Sequence, residues 1–265
     1  QSHHYLLPLV AGLVSRGATA IRIKSTRESL VLTSDAAPLS EEELAGLFLA
    51  ATRRGESLAH LGMGLLGALG AGGRTLALST SGYKARISRV SERVEVKKRR
   101  GGSGISLEIQ GPGLTPQPPP DLLLRFLFCS ADVTWNGQSL TGGEPMSVWG
   151  RQILDGDEFV LRGAVVSERP GLFIQVDGLS YQLASGFILP QAAVVLDGPW
   201  RLSLSYQAIR GDKRRQTLRE AAADLLLEKA AEQALYQPLD LSRAEFYERF
   251  LHHISPDALK AALVK

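Results

Sequence analysis

The stretch Leu30–Phe48, LVLTSDAAPLSEEELAGLF, passes from a strand through a turn into a strongly capped helix. Ser40 followed by Glu43 is a capping-box pattern, and three acidic residues sit at the positive end of the helix that starts near Glu41. Upstream, TAIRIKST and ESLVLTS read as two strands, Ile21 and Ile23 alternating against Arg22 and Lys24 as expected of a half-buried strand. Earlier still, Tyr5, Leu6, Leu9, Val10, Leu13 and Val14 recur at helical spacing. Pro8 marks the first turn of that helix or kinks it, and Gly17 is a suitable C-cap.

Downstream, ATRRGESLAHLGMGLLGALGAGG reads as a loop entering a second helix. RTLALSTS, KARISRVS and ERVEVKKRR alternate like antiparallel strands, and GGSG is expected to close a hairpin from Arg93 to Gln110. GPGLTPQPPPD (Gly111–Asp121) holds five prolines in eleven residues and has the composition of a linker. Beyond it, DVTWNG, EFVLRGAVVSE, GLFIQVDGLSYQL and AAVVLD read as strands of a second unit. A long helix over roughly Asp212 to Leu235 and one or two short helices are expected to follow. No internal repeat is visible.

The 265 residues are 44% hydrophobic and 22% charged, an ordinary balance for a globular protein. No apolar run reaches the roughly 18 residues a membrane span needs. The start QSHHYLLPLV lacks a basic n-region and a cleavage site. A cytoplasmic protein is therefore expected, and, from the ends of the sequence, part of a longer chain. A single cysteine, Cys129, leaves no disulfide framework and no Cys-based zinc cluster. A formal charge of +3 supports no nucleic-acid partner by itself.

The order of helix, Gly17-Ala18-Thr19, two strands, turn, LSEEEL and HLGMGLLGAL resembles the GHKL ATPases: gyrase B, the ninety-kilodalton heat-shock chaperone, histidine kinases and MutL. The wording is nearest the heat-shock chaperone and covers about residues 3–110. The resemblance implies an α+β protein. Residues 1–111 would form a Bergerat-type sandwich, with helices on one face of a mixed sheet. Residues 112–120 would be a Pro-rich linker, and residues 121–265 a smaller α+β unit like that chaperone's middle domain.

The same resemblance implies a damaged site. The family's catalytic glutamate and magnesium-holding asparagine fall on Pro8 and Gly12, which can neither take a proton nor donate an oxygen. A family aspartate near the helix end falls on Ser15. The adenine-reading aspartate becomes Ser34, with Asp35 beside it, and two flexible glycines become Ala36 and Pro38. Gly62 and Gly64 stand where the glycine-rich lid runs into a helix N-terminus, whose N–H groups could cradle phosphate. The closing Gly-Thr pair becomes Gly104-Ile105.

Plainer readings stand beside these. Gly62 and Gly64 also suit a helix that packs close to the sheet. LysLysArgArg at 97–100 suits a charged strand edge as well as a phosphate contact. His3-His4 and His252-His253 lack the further ligands a metal site needs. Cys129 suits a buried apolar position, and Trp135, Trp149 and Trp200 suit core or interface anchors of the second unit.

The expectation is a catalytically inactive, chaperone-like module that acts by protein–protein interaction or scaffolding. It binds a protein partner, a homodimer being compatible with that role, and neither nucleic acid nor membrane. No metal and no cofactor are expected. The alternative is a divergent switch that binds ATP or ADP through Ser34, Asp35, Gly62 and Gly64, with Arg53 or Arg54 compensating in the lid.

Overall fold

The computed structural model describes residues 3–51, 57–88, 94–142, 146–154, 157–164, 169, 171–184, 193–198 and 206. The expected helix at 212–235, the C-terminal helices, Arg53, Arg54, Trp200 and the His252-His253 pair lie outside the described residues. The protein is α+β, with two mixed sheets and four helices among the described residues. Residues up to Gly142, together with Asp177–Ser180 and Tyr206, form one compact unit. The remaining described residues belong to a second.

In the first unit, α1 (Leu6–Ser15) is apolar all round and buried from Leu6 to Leu13. Pro8 lies in its first turn, where a missing N–H costs nothing. Gly17, at φ +80°, ends it. β1 (Ala20–Ser25) and β2 (Ser29–Ser34) form an antiparallel hairpin. α2 (Glu41–Ala50) follows, and its capping box is complete: Ser40 Oγ accepts the Glu43 N–H, and Glu43 Oε2 accepts the Ser40 N–H. α3 (Ser57–Gly70) then leads into β3 (Thr75–Thr80), β4 (Tyr83–Ser88), β5 (Val94–Lys98) and β6 (Ile105–Gln110). α4 (Pro120–Phe126), β7 (Asp132–Trp135) and the short β8 (Gln138–Ser139) complete the unit.

These strands make one eight-stranded sheet, ordered β5-β4-β3-β6-β2-β1-β7-β8. Every pair is antiparallel except β1 with β7. Alternation sorts the side chains: Ile21, Leu32, Leu107, Leu78 and Ala85 are buried on one face, while Arg22, Lys84, Arg86 and Lys97 are exposed on the other.

Two expectations are corrected here. The hairpin across GGSG does not form: β5 pairs with β4, and β6 lies between β3 and β2. The physical reason is burial. Ile105, Leu107 and Ile109 need buried neighbours on both sides, whereas the Lys-rich β5 suits an edge. The Pro-rich stretch, in turn, does not join two units. It is fastened inside the first, where Ser25 Oγ donates to Thr115 O (2.6 Å), and Trp135 Nε1 (2.9 Å) and Asn136 Nδ2 (2.7 Å) donate to Pro116 O. DVTWNG accordingly extends the first sheet as β7, and the compact unit runs to Gly142.

The five-stranded sheet comprises β9 (Ser147–Leu154), β10 (Asp157–Ala164), β11 (Gly171–Val176), β12 (Leu179–Ala184) and β13 (Ala193–Asp197), all in the second unit except Leu179 and Ser180 of β12. Their order is β12-β11-β13-β10-β9, with β11 and β13 parallel. Phe173, Ile174, Val194 and Val195 are buried on both faces of the central strands, as their unbroken apolar runs require. Trp149 lies over Gly163, where an added Cβ would come within 2.2 Å of the indole.

Candidate functional site

The turn Asp35–Ser40 is held on every side. Asp35 Oδ1 accepts the backbone N–H groups of Thr19 (2.9 Å) and Ala20 (3.0 Å), and Oδ2 accepts the Thr19 hydroxyl. These donors, the Thr19 hydroxyl first and the Ala20 N–H next, hold the Asp35 carboxyl down to about 2. Arg16 adds a clamp: its guanidinium donates to Ala37 O (3.0 Å), Pro38 O (2.8 Å) and both oxygens of Glu43 (2.8 and 3.3 Å). Partial burial pushes the Glu43 carboxyl up, but Arg16 and the Ser40 N–H outweigh it and leave it below its ordinary range. Thr80 Oγ1 accepts the Leu39 N–H at 2.9 Å and ties the turn to β3. The segment is thus a brace between α1, β1, β3 and α2.

Ser34 ends β2 on the helix-covered face, paired across the sheet with Ile21 and Ile105. Its Oγ is buried with no hydrogen-bond partner among the described residues. Gly104, at φ +71°, approaches so closely that an added Cβ would stand 1.9 Å from Ser34 O. Sequence positions 34 and 104 therefore meet.

Gly62 and Gly64 are not brought to Ser34 by a loop. They occupy the second turn of α3, beyond the first four residues whose N–H groups a helix leaves free. A phosphate cradle at these two glycines is therefore corrected to a packing role. A Cβ on Gly62 would lie 2.2 Å from Leu47 O of α2, and one on Gly64 would lie 2.5 Å from Leu9 Cγ of α1. Gly67 meets Tyr5 Cβ at 2.9 Å in the same way, and Gly12 meets Leu61 Cγ at 2.8 Å and Ser57 O at 2.9 Å. The three helices thus touch through glycines, α3 meeting α1 through one set and α2 through another.

A buried polar cluster in the first unit has no counterpart in the sequence reading. His60, on α3, hydrogen-bonds the Tyr206 hydroxyl through Nδ1 and faces Asp177 Oδ2 at 3.5 Å through Nε2. The rings of His60 and Tyr206 meet edge-on at 5.5 Å. Burial lowers the His60 pKa, with Asp177 pulling the other way, and burial pushes the Tyr206 hydroxyl well above its ordinary range. A neutral imidazole against a protonated phenol is a clasp, not an activated nucleophile. The 146 positions between His60 and Tyr206 leave no local signal to find it by.

Elsewhere, burial raises the Cys129 thiol to about 11, which keeps it unreactive at neutral pH. His4 pairs with Asp121 at 3.3 Å beside a cavity of about 340 Å³ that His3 and Pro118–Pro120 also line. Among the described residues no three His, Cys, Asp or Glu side chains converge for a metal, and no helix is long and apolar enough to cross a membrane. No family model matches the chain, and no curated protein matches it.

Proposed function

We propose that the chain is a catalytically inactive relative of the GHKL ATPases, of the heat-shock-chaperone-like branch, acting as a protein-interaction or scaffolding module. The arrangement of three helices over one face of a mixed sheet is compatible with a Bergerat-type sandwich. Position 34, where the resemblance puts the adenine-reading residue, and position 104, where it puts the closing glycine, are neighbours here.

The observation that carries the reading is at Gly12. This is the family's metal-holding position, and here Leu61 and Ser57 of α3 press against it at 2.8 and 2.9 Å from any Cβ. A metal ligand is missing, and the space for its side chain is occupied. Pro8, at the position of the base, offers no proton acceptor. Losing a general base alone typically costs about 10²–10⁴ in rate. A fold kept without its chemistry points to a surface as the working part.

Titration calorimetry with magnesium-ATP, paired with a phosphate-release assay, tests this reading: no turnover is expected. The second reading, a nucleotide-binding switch without hydrolysis, draws support from the buried Ser34 Oγ beside Gly104, which has no hydrogen-bond partner among the described residues. A saturable rise in melting temperature with ADP, lost in Ser34→Val, would select that reading.

A further inference from the structure

The polar face of the first sheet carries an arrangement that folding alone does not favour. Lys84 on β4 and Lys97 on β5 are direct cross-strand partners, both exposed on the same face. Like charges placed opposite one another destabilise a sheet. Arg86, two residues along β4, is also exposed, and neither it nor Lys84 has an ion pair among the described residues. Among the described residues the one ion pair of Lys97 is a loose, exposed contact with Glu95 at 3.8 Å. Lys98, Arg99 and Arg100 continue the run of exposed cations.

Lys84 and Arg86 also line a shallow cavity of about 210 Å³, together with Thr75, Ala77, Glu108 and Gln110. Edge protection accounts for lysines on β5, the terminal strand of the sheet. It does not account for Lys84, which sits one strand inward opposite Lys97, whereas Arg86 faces Glu95 across the same ladder.

We infer that the β4–β5 end of this sheet is a docking surface for an acidic, extended segment of a partner protein, laid along the edge of β5 that pairs with no other strand among the described residues. The inference deepens the protein-interaction reading and rests on it. Charge complementarity selects the sign of the partner. A strand added beyond β5 would lie about 4.8 Å from it, with alternate side chains over the basic face. Carboxylates at those alternate positions would reach Lys97 and relieve its opposition to Lys84.

Two features favour a peptide over a nucleic acid. The polar face of β1–β6 holds no aromatic side chain among the described residues, so bases would have no stacking platform. Glu95 and Glu108 also interrupt the cations, which suits spaced carboxylates better than a continuous phosphate backbone.

Fluorescence anisotropy with a labelled peptide of alternating Glu and Thr tests the inference, with an alternating Lys–Thr peptide and a thymidine oligonucleotide as comparisons. The expected result is saturable binding of the acidic peptide alone, weakened by salt. The double variant Lys84→Gln/Lys97→Gln should bind it at least about tenfold more weakly, which corresponds to about 1.4 kcal/mol. Its melting temperature should be no lower than the parent's, since neutralisation removes a repulsion. Absence of peptide binding, unchanged affinity in the variant, or tighter binding of the oligonucleotide would each overturn it. ATP turnover is read separately on the same protein, so failure of the inactive-ATPase reading is distinguishable from failure of this one.

Discussion

Gly62 of α3 lies against the backbone of Leu47 in α2, so closely that a Cβ would stand 2.2 Å from the Leu47 carbonyl oxygen. Backbone cannot swing aside as a side chain can. Gly62→Ala should therefore destabilise the first unit by about 1–3 kcal/mol, the usual cost of forced overpacking. Gly46→Ala, on α2 with nothing within 4 Å of the added methyl, should instead stabilise by about 0.5–1 kcal/mol. Chemical denaturation of the two variants checks the pair. Equal effects would remove the packing role assigned to Gly62.

The brace at Asp35 gives a second expectation. Its carboxylate takes donors from Thr19 and Ala20, and these favour the ionised form. A depressed carboxyl contributes stability above its unfolded value near 3.8 and loses it as pH falls toward about 2. Asp35→Asn should lower the melting temperature at neutral pH, and the difference from the parent should shrink in acid. A gap that stays constant down to pH 2 would mean that the carboxylate charge plays no part.

Ser40 and Glu43 satisfy each other's backbone across the first turn of α2. Ser40→Ala should cost about 0.5–2 kcal/mol of stability. Arg16→Ala should cost more than a surface ion pair, because its guanidinium also holds the Ala37 and Pro38 carbonyls and is only 12% exposed. A double-mutant cycle between Arg16 and Glu43 separates the ion pair from the carbonyl contacts.

Much of the first sheet was legible because its alternation is local. Ile21 and Ile23, Leu30 and Leu32, and Leu76 and Leu78 declare their faces within a few residues of chain, and the Ser40–Glu43 pair declares the start of α2. What escaped depends on distance. GGSG has the composition of a hairpin turn, yet the partners of Ile105–Gln110 are β2 and β3, chosen by burial rather than proximity. The prolines at 116–120 look like a linker until Trp135 and Asn136 reach back to Pro116 O. In one dimension Gly62 and Gly64 fit a lid as well as a helix packed close to the sheet, and neither reading names the neighbouring helices. Only the approach of Leu47 and Leu9 distinguishes them. Asp35 stands out in the sequence as a candidate adenine contact, whereas the donors its carboxylate takes, from Thr19 and Ala20, lie 16 and 15 positions away and leave no local signal.

The His60 clasp predicts a pH dependence at milder acidity. Burial lowers the His60 pKa below 6.5, so the folded state keeps the ring neutral while the unfolded chain accepts a proton. That contribution is complete above about pH 6.5 and falls as pH drops below it, at most by about 1.4 kcal/mol per pH unit. His60→Gln should flatten this part of the profile. His3, whose pKa burial also lowers, remains the same in both proteins. An unchanged slope in the variant would place the dependence elsewhere.

Gly12 also predicts the outcome of rebuilding the family's residues. Pro8→Glu with Gly12→Asn restores the base and the metal ligand in name, but the asparagine would drive into Leu61 and Ser57. Loss of stability without gain of turnover is expected.

The most direct measurement is phosphate release from magnesium-ATP by the unaltered protein, with titration calorimetry of the same sample. No release above the uncatalysed background is expected, because neither Pro8 nor Gly12 can supply a base or a ligand. Steady turnover that scales with protein concentration and is lost on chelating magnesium would contradict the inactive-relative proposal.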